Sequence, residues 1–174
     1  MAFIKFQGNV ISFAEYSDVT NIDQRVFEAN EGLTSAIVEA LLERSTQRII
    51  YNIGATDWWR TYWIRQSGGT YDPLIYTSGL LAIPPPNPNY ILDRQPDFTD
   101  LCVYYALSYY IYPKIADFST QDSAEKTKIG FMNEKYRSLF QELIDDGSWY
   151  DFSGNGTITP LEKMPTRTNI QRAR

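Results

Sequence analysis

The sequence predicts a mainly α fold: a small helical bundle with an N-terminal β-hairpin, a proline-rich hairpin-bearing loop and an extended C-terminal arm. Three observations carry that prediction. Residues 33–53 and 123–144 repeat apolar side chains at spacings of three and four, the period of an amphipathic helix. Pro73, Pro84, Pro85, Pro86, Pro88 and Pro96 crowd one stretch and forbid a continuous helix there. The final ten residues carry Arg167, Arg172 and Arg174 and no acid. At 174 residues the chain has room for one domain. We read residues 1–163 as that domain, with 66–97 as an extended loop insertion and 164–174 as a basic arm.

Taken in order, Phe3, Ile4 and Phe6 face Val10, Ile11 and Phe13 across Gly8-Asn9, a usable two-residue turn, so the chain opens on a hairpin. Ser12 and Glu15 stand at capping-box spacing and begin a short helix that ends before Thr20. Leu33, Ile37, Val38, Leu41, Leu42, Ile49 and Ile53 form one helical stripe, while Glu39, Glu43, Arg44 and Arg48 take the other face. Gly32 breaks the helical region before this stripe, and Gly54 caps its end. Residues 56–65 make a further helix, started by Thr56 or Asp57 and carrying Trp58, Trp59, Tyr62 and Trp63. Inside the proline-rich stretch, residues 74–83 place two apolar runs around Thr77-Ser78-Gly79, a second hairpin.

Helix resumes over 97–116, with Phe98, Leu101, Tyr105, Tyr109 and Tyr112 on one row and Val103, Leu107 and Ile111 on another. Pro113 ends or kinks it. A segment apolar nearly all round is buried, in its own chain or in an assembly. Residues 123–144 turn Ile129, Met132, Tyr136, Leu139, Phe140 and Leu143 inward. Beyond Pro165 the residues are too polar to fold alone, and Arg167, Ile170, Arg172 and Arg174 mark this tail as a partner-binding arm.

Composition excludes more than it suggests. With no histidine, every mechanism that needs an imidazole base or ligand is gone. The single cysteine, Cys102, cannot form an intramolecular disulfide or a multi-thiolate site, and it fits a chain made in a reducing cytosol. A net charge of −5 argues against coating nucleic acid. No basic, apolar leader is visible at the start, and the longest apolar stretch is well short of the roughly 20 residues a bilayer span needs. Aromatic residues at 15% suit a core plus extensive contact surfaces.

The sharpest local signal is residues 151–162. Asp151, Ser153, Asn155, Thr157, Thr159 and Glu162 occupy the ligand positions of a twelve-residue EF-hand loop, with Gly156 at the sharp turn. Calcium prefers such an all-oxygen cage. Against it, only two ligands are charged, and Pro160 and Pro165 leave no room for an exit helix, so an ordered metal-free turn is the competing reading. Trp58, Trp59 and Trp63 with Arg60 and Arg65 could stack bases, or dock the helix on its own domain. Asp145, Asp146 and Asp151 could hold magnesium, or form a solvated helix end. Cys102 reads as a core residue. We therefore expect no enzyme and no obligatory cofactor.

Four stretches carry a family likeness: residues 13–19 (Phe-Ala-Glu-Tyr-Ser-Asp-Val), the helix over 33–53, residues 100–107 (Asp-Leu-Cys-Val-Tyr-Tyr-Ala-Leu), and residues 135–151, which close on Asp-Asp-Gly-Ser-Trp-Tyr-Asp. Their order resembles the head–tail connector (adaptor, or head-completion) proteins of tailed bacteriophages. The resemblance implies a structural virion protein of the neck, made in the host cytoplasm. It implies a homo-oligomeric ring, typically of twelve, bound to the portal protein and to a downstream neck or tail protein, with DNA only passing through its channel and no membrane contact. The insertion at 66–97 departs from that family pattern. The alternative is a calcium-binding, EF-hand-like interaction module; a carboxylate-dependent nuclease is a third class.

Overall fold

Strands β1 (Ile4–Phe6) and β2 (Asn9–Ser12) pair antiparallel, with Phe6 opposite Asn9 and Lys5 opposite Val10. The turn is Gln7-Gly8, one residue earlier than expected, with φ of 50° and 82° at its two centres, the positive pair that a type I′ turn needs. This computed structural model describes residues 3–24, 32–68, 83–116 and 124–164. The C-terminal arm with Arg167, Ile170, Arg172 and Arg174 lies outside the described residues, as does the expected hairpin over 74–83 except for Ile83.

The architecture is mainly α. Helix α1 (Tyr16–Ile22) is capped by Glu15 rather than Ser12: Ser12 stays in β2 with its hydroxyl donated to the Ala14 carbonyl at 2.6 Å, and Asp18 accepts the Glu15 amide at 2.9 Å to close a capping box. The helix runs through Thr20. Helix α2 (Ser35–Gly54) and helix α3 (Asp57–Gln66) follow, and Thr56 caps α3 by accepting the Trp59 amide at 3.1 Å. A single 3₁₀ turn, Pro88–Tyr90, precedes α4 (Gln95–Ala106). Pro96 sits in the first turn of α4, where its missing N–H costs nothing, so the helix starts two residues before the expected Asp97.

Pro113 neither ends nor breaks the helical path. The turn before it widens to a π-helical stretch, Leu107–Ile111, in which the Tyr112 amide reaches back to the Leu107 carbonyl, and α5 (Tyr112–Ile115) continues from there. The wider turn accommodates the missing donor and the ring clash of proline. Helix α6 (Ala124–Asp146) is the last helix among the described residues. Among the described residues no helix is long and apolar enough to cross a membrane.

Contacts group the chain into two compact units, Met1–Ile49 with Arg94–Gln141, and Ile50–Asp93 with Glu142–Arg174. In the first, Phe3, Phe13 and Phe98 form a ring cluster with centroids 4.6 to 6.3 Å apart. Phe13 follows the hairpin, where no strand among the described residues receives its backbone. Thr46 on α2 therefore accepts its N–H at 3.0 Å, and Thr99 on α4 donates to its carbonyl at 2.8 Å. Val38, Leu41, Leu42, Leu101, Val103, Leu107, Ile111 and Tyr112 bury the remaining apolar surface. Ile37, expected on the inward stripe of α2, is 38% exposed, because it lies about 100° around the helix from Val38.

Candidate functional site

The residues with site-like chemistry converge in the second unit. After α6 the chain turns at Gly147, whose φ of 54° is in the left-handed region that favours glycine. Its Cα also lies so close to the Met164 carbonyl that a Cβ would sit 2.2 Å from that oxygen. Trp149, Tyr150 and Asp151 then run beside the segment from Tyr90 to Leu92. Ile91 and Tyr150 make an isolated antiparallel bridge, and the Asp151 amide donates to the Tyr90 carbonyl at 2.9 Å.

Around that bridge stands a block of aromatic rings. Trp58 stacks on Tyr62 at 5.2 Å with 13° between planes, and Trp149 lies 5.2 Å from Trp58. Tyr150 meets Trp59, Tyr62, Tyr90 and Trp149 edge-on. Every indole N–H in the block is spent internally: Trp58 donates to the Met164 carbonyl, Trp59 to Pro84 and Trp149 to Leu143, each at 2.8 to 2.9 Å. Trp58, Trp59 and Trp149 are buried, so their faces are not offered to bases or sugars. The aromatic face of α3 docks on its own unit, and Trp63 stays half-buried.

Asp151 and Glu162 close the loop that follows. Asp151 is 1% exposed; its Oδ1 accepts the Gly154 amide at 2.8 Å and the Ser153 hydroxyl at 3.1 Å, and its Oδ2 accepts the Gly156 amide at 2.7 Å. Glu162, 5% exposed, accepts the Ser153 amide at 2.9 Å on Oε1, and the Thr159 amide and hydroxyl at 2.8 and 2.7 Å on Oε2. The two carboxylates therefore meet at Ser153. Asn155 turns its side-chain oxygen onto the Thr157 amide and hydroxyl, both at 2.8 Å. All six predicted loop residues are in one turn, and each carboxylate oxygen already receives an amide hydrogen.

The electrostatics follow from this wiring. Burial alone would raise the Glu162 carboxyl, but the hydrogen bonds from Thr159 and Ser153 outweigh it and hold the group below its ordinary value. The Tyr62 hydroxyl, which donates to the Tyr150 carbonyl at 3.3 Å, is pushed far above the usual phenol range, first by burial and then by the nearby Glu162, Tyr150 and Asp151. Tyr150 is pushed up to about 12, mainly by burial. Both tyrosines stay neutral: the Tyr62 hydroxyl acts as a donor, and the Tyr150 hydroxyl accepts the Asn87 amide.

No protein-family model, no curated protein and no solved structure matches this chain.

Of the other sequence candidates, Asp145 and Asp146 are half-buried at the end of α6, with Asp146 accepting the Ser148 hydroxyl. Among the described residues no three of Asp, Glu and Cys come together as a metal cage. Cys102 is wholly buried in the first unit, its thiol pushed up to about 12 by burial despite hydrogen bonds from Thr46 and the Phe13 backbone, which puts it out of reach as a nucleophile at neutral pH. Two features escaped the sequence reading. Thr159-Pro160-Leu161-Glu162 has the residue pattern of a capping box but closes a turn instead of starting a helix: Glu162 accepts both the amide and the hydroxyl of Thr159, and its own amide donates to the Thr159 carbonyl. Tyr90 and Phe152 carry no local motif, and the stretch that carries Trp149 and Tyr150 gives no sign of their packing; only distant partners give these four their place in the aromatic block.

Proposed function

We propose that this protein is a structural component of a tailed-phage virion, a head–tail adaptor that forms a ring between the portal and the tail components. The observation that supports the reading best is the contrast between interior and surface. The groups capable of chemistry, Asp151, Glu162, the indoles and Cys102, are engaged within the fold, whereas Phe6, Tyr51, Phe131 and Leu161 stand 53 to 76% exposed on four separate elements. Large apolar side chains left on several faces suit a chain whose surface is completed by neighbours.

In this reading the protein is made in the host cytoplasm and ends in the virion neck. It contacts other copies of itself, the portal protein and a downstream neck or tail protein, and lets DNA pass without holding it.

 Electron microscopy of the native virion tests it: density for this chain should form a closed ring beneath the portal, and a compact monomer that ignores every virion component would overturn the assignment. Removing residues 165–174 should leave the melting temperature nearly unchanged while weakening attachment to the portal, because three arginines on a polar tail serve contacts rather than folding.

One observation favours the second reading, a calcium-binding module. Six oxygen-bearing side chains share the turn over 151–162, and Asp151 and Glu162 approach it from opposite ends. Calcium titration of the full chain decides between the two: a metal-dependent rise in thermal stability that Glu162→Gln abolishes would favour the module over the adaptor.

A further inference from the structure

Helix α2 sorts its charge around its axis. At 100° per residue, the buried Val38, Leu42, Ser45 and Ile49 mark the side facing its own unit. Glu39 and Glu43 lie on one flank of that side, and Arg44 and Arg48 lie on the other, roughly 140° away. All four are exposed. Between the flanks, the outward ridge carries the short Ala36 and Ala40 and the flexible Gln47, all exposed, with Tyr51, 62% exposed, on the same ridge one turn beyond Gln47. Ile37, 38% exposed, borders the basic flank.

The basic flank is also held in shape. The Arg44 guanidinium lies 4.8 Å over the Tyr110 ring, and Arg48 hydrogen-bonds the Tyr105 hydroxyl. Arginines fixed on aromatic partners lose less freedom when they meet a carboxylate than arginines that move freely. The acidic flank supplies the matching groups at the same spacing of four residues, so the helix is complementary to another copy of itself.

We propose that neighbouring copies of this chain pair through α2, the acidic flank of one (Glu39, Glu43) against the basic flank of the next (Arg44, Arg48). This deepens the ring reading and rests on it for the closed ring alone. The occupant is a second copy because one helix carries both halves of the match, and these local charge pairs outweigh at close range the weak mutual repulsion of two chains of net charge −5. A contact that joins two different flanks can repeat from copy to copy and close into a ring.

Charge exchange tests it with the full chain. One variant carries Arg44→Glu and Arg48→Glu, the other Glu39→Arg and Glu43→Arg; melting temperatures report that each still folds. Mass measurement over a concentration series should show the unsubstituted chain associating, with weaker association at high salt. Each variant alone should associate about a hundredfold more weakly or worse, since like charges then face each other. An equimolar mixture of the two variants should recover association, because acid again meets base at every contact. Variants that assemble as well as the unsubstituted chain, or a mixture that does not recover, would overturn the pairing, as would an unsubstituted chain that stays monomeric at every concentration. A mixture that recovers but stops at a dimer upholds the pairing and counts against the ring.

Discussion

The two units solve one problem, irregular backbone in a buried setting, by opposite means. In the first, the stretch after the hairpin is received by hydroxyls on flanking helices: Thr46 takes the Phe13 N–H and Thr99 its carbonyl, while the Phe cluster supplies apolar area alone. In the second, the irregular segments are received by the aromatic residues themselves. Trp58, Trp59 and Trp149 each donate to a backbone carbonyl, and the Tyr150 hydroxyl accepts the Asn87 amide at 3.0 Å. The first unit separates packing from polar satisfaction. The second merges them in single side chains, so each large ring there carries two duties.

Substitutions that keep the ring but remove its polar tip should expose this difference most strongly. Trp149→Ala should cost about 3–5 kcal/mol, the usual range for truncating a buried aromatic. Trp149→Phe removes the indole hydrogen bond, leaving the Leu143 carbonyl only the Gly147 amide at 3.1 Å, and vacates the volume of the second ring, so it should still cost about 1–3 kcal/mol. Phe98→Leu, which removes no hydrogen bond, should cost less than about 1.5 kcal/mol. Native-state hydrogen exchange of amides in each unit reads these losses separately. Equal effects of Trp149→Phe and Phe98→Leu would break the comparison.

Gly147→Ala ranks next. The added Cβ meets the Met164 carbonyl at 2.2 Å and the Trp58 indole nitrogen at 2.8 Å, both part of the clamp in which Met164 donates its N–H to Gly147 and receives the Trp58 N–H. A left-handed conformation without glycine adds about 1–2 kcal/mol. We expect a total near 2–3 kcal/mol, read by thermal melting, with loss of protection at the Trp58 indole N–H. An unchanged indole signal would show that the clamp tolerates the methyl group.

The helices were legible because their signals are local. Thr56 caps α3 as its sequence says, and Met132, Tyr136 and Leu143 are buried on α6 as their spacing says. The misreadings came from competition. Ser12 and Glu15 fit a capping box, but Ser12 was already committed to β2 and Asp18 offered Glu15 a second one. Pro113 predicts an end or a kink, and the helix does not end there: it absorbs the proline by widening one turn, with Leu107, Ile111 and Tyr112 buried around it. At the candidate site, residues 151–162 were legible as a turn whose oxygens converge. The aromatic block was not, because Trp58 and Trp149 are 91 positions apart in the chain and no periodicity links them.

Acid separates the two units by the smallest but most specific margin. Glu162 in the second unit titrates below its ordinary value because Thr159 and Ser153 hydrogen-bond its charged form. A carboxyl depressed by folding contributes stability that is present above the ordinary carboxylate value, near 4.3, and is lost as pH falls through the depressed one. Asp100 in the first unit titrates above its ordinary value, through burial and then repulsion from Asp97 and Asp18. A carboxyl raised by folding contributes stability that is present below its ordinary value and is lost as pH rises through the raised one. Lowering the pH through the carboxylate range should therefore loosen the loop over 151–162 while relieving strain at the start of α4. Glu162→Gln should flatten the acid response of amides at Ser153 and Thr159, and Asp100→Asn should flatten the opposite response in α4. Asp100 is exposed, so solvent screening keeps its effect the smaller of the two. Acid responses of the same sign in both units would mean that other carboxylates set the pH dependence, and the contrast between the units would then rest on their aromatic residues alone.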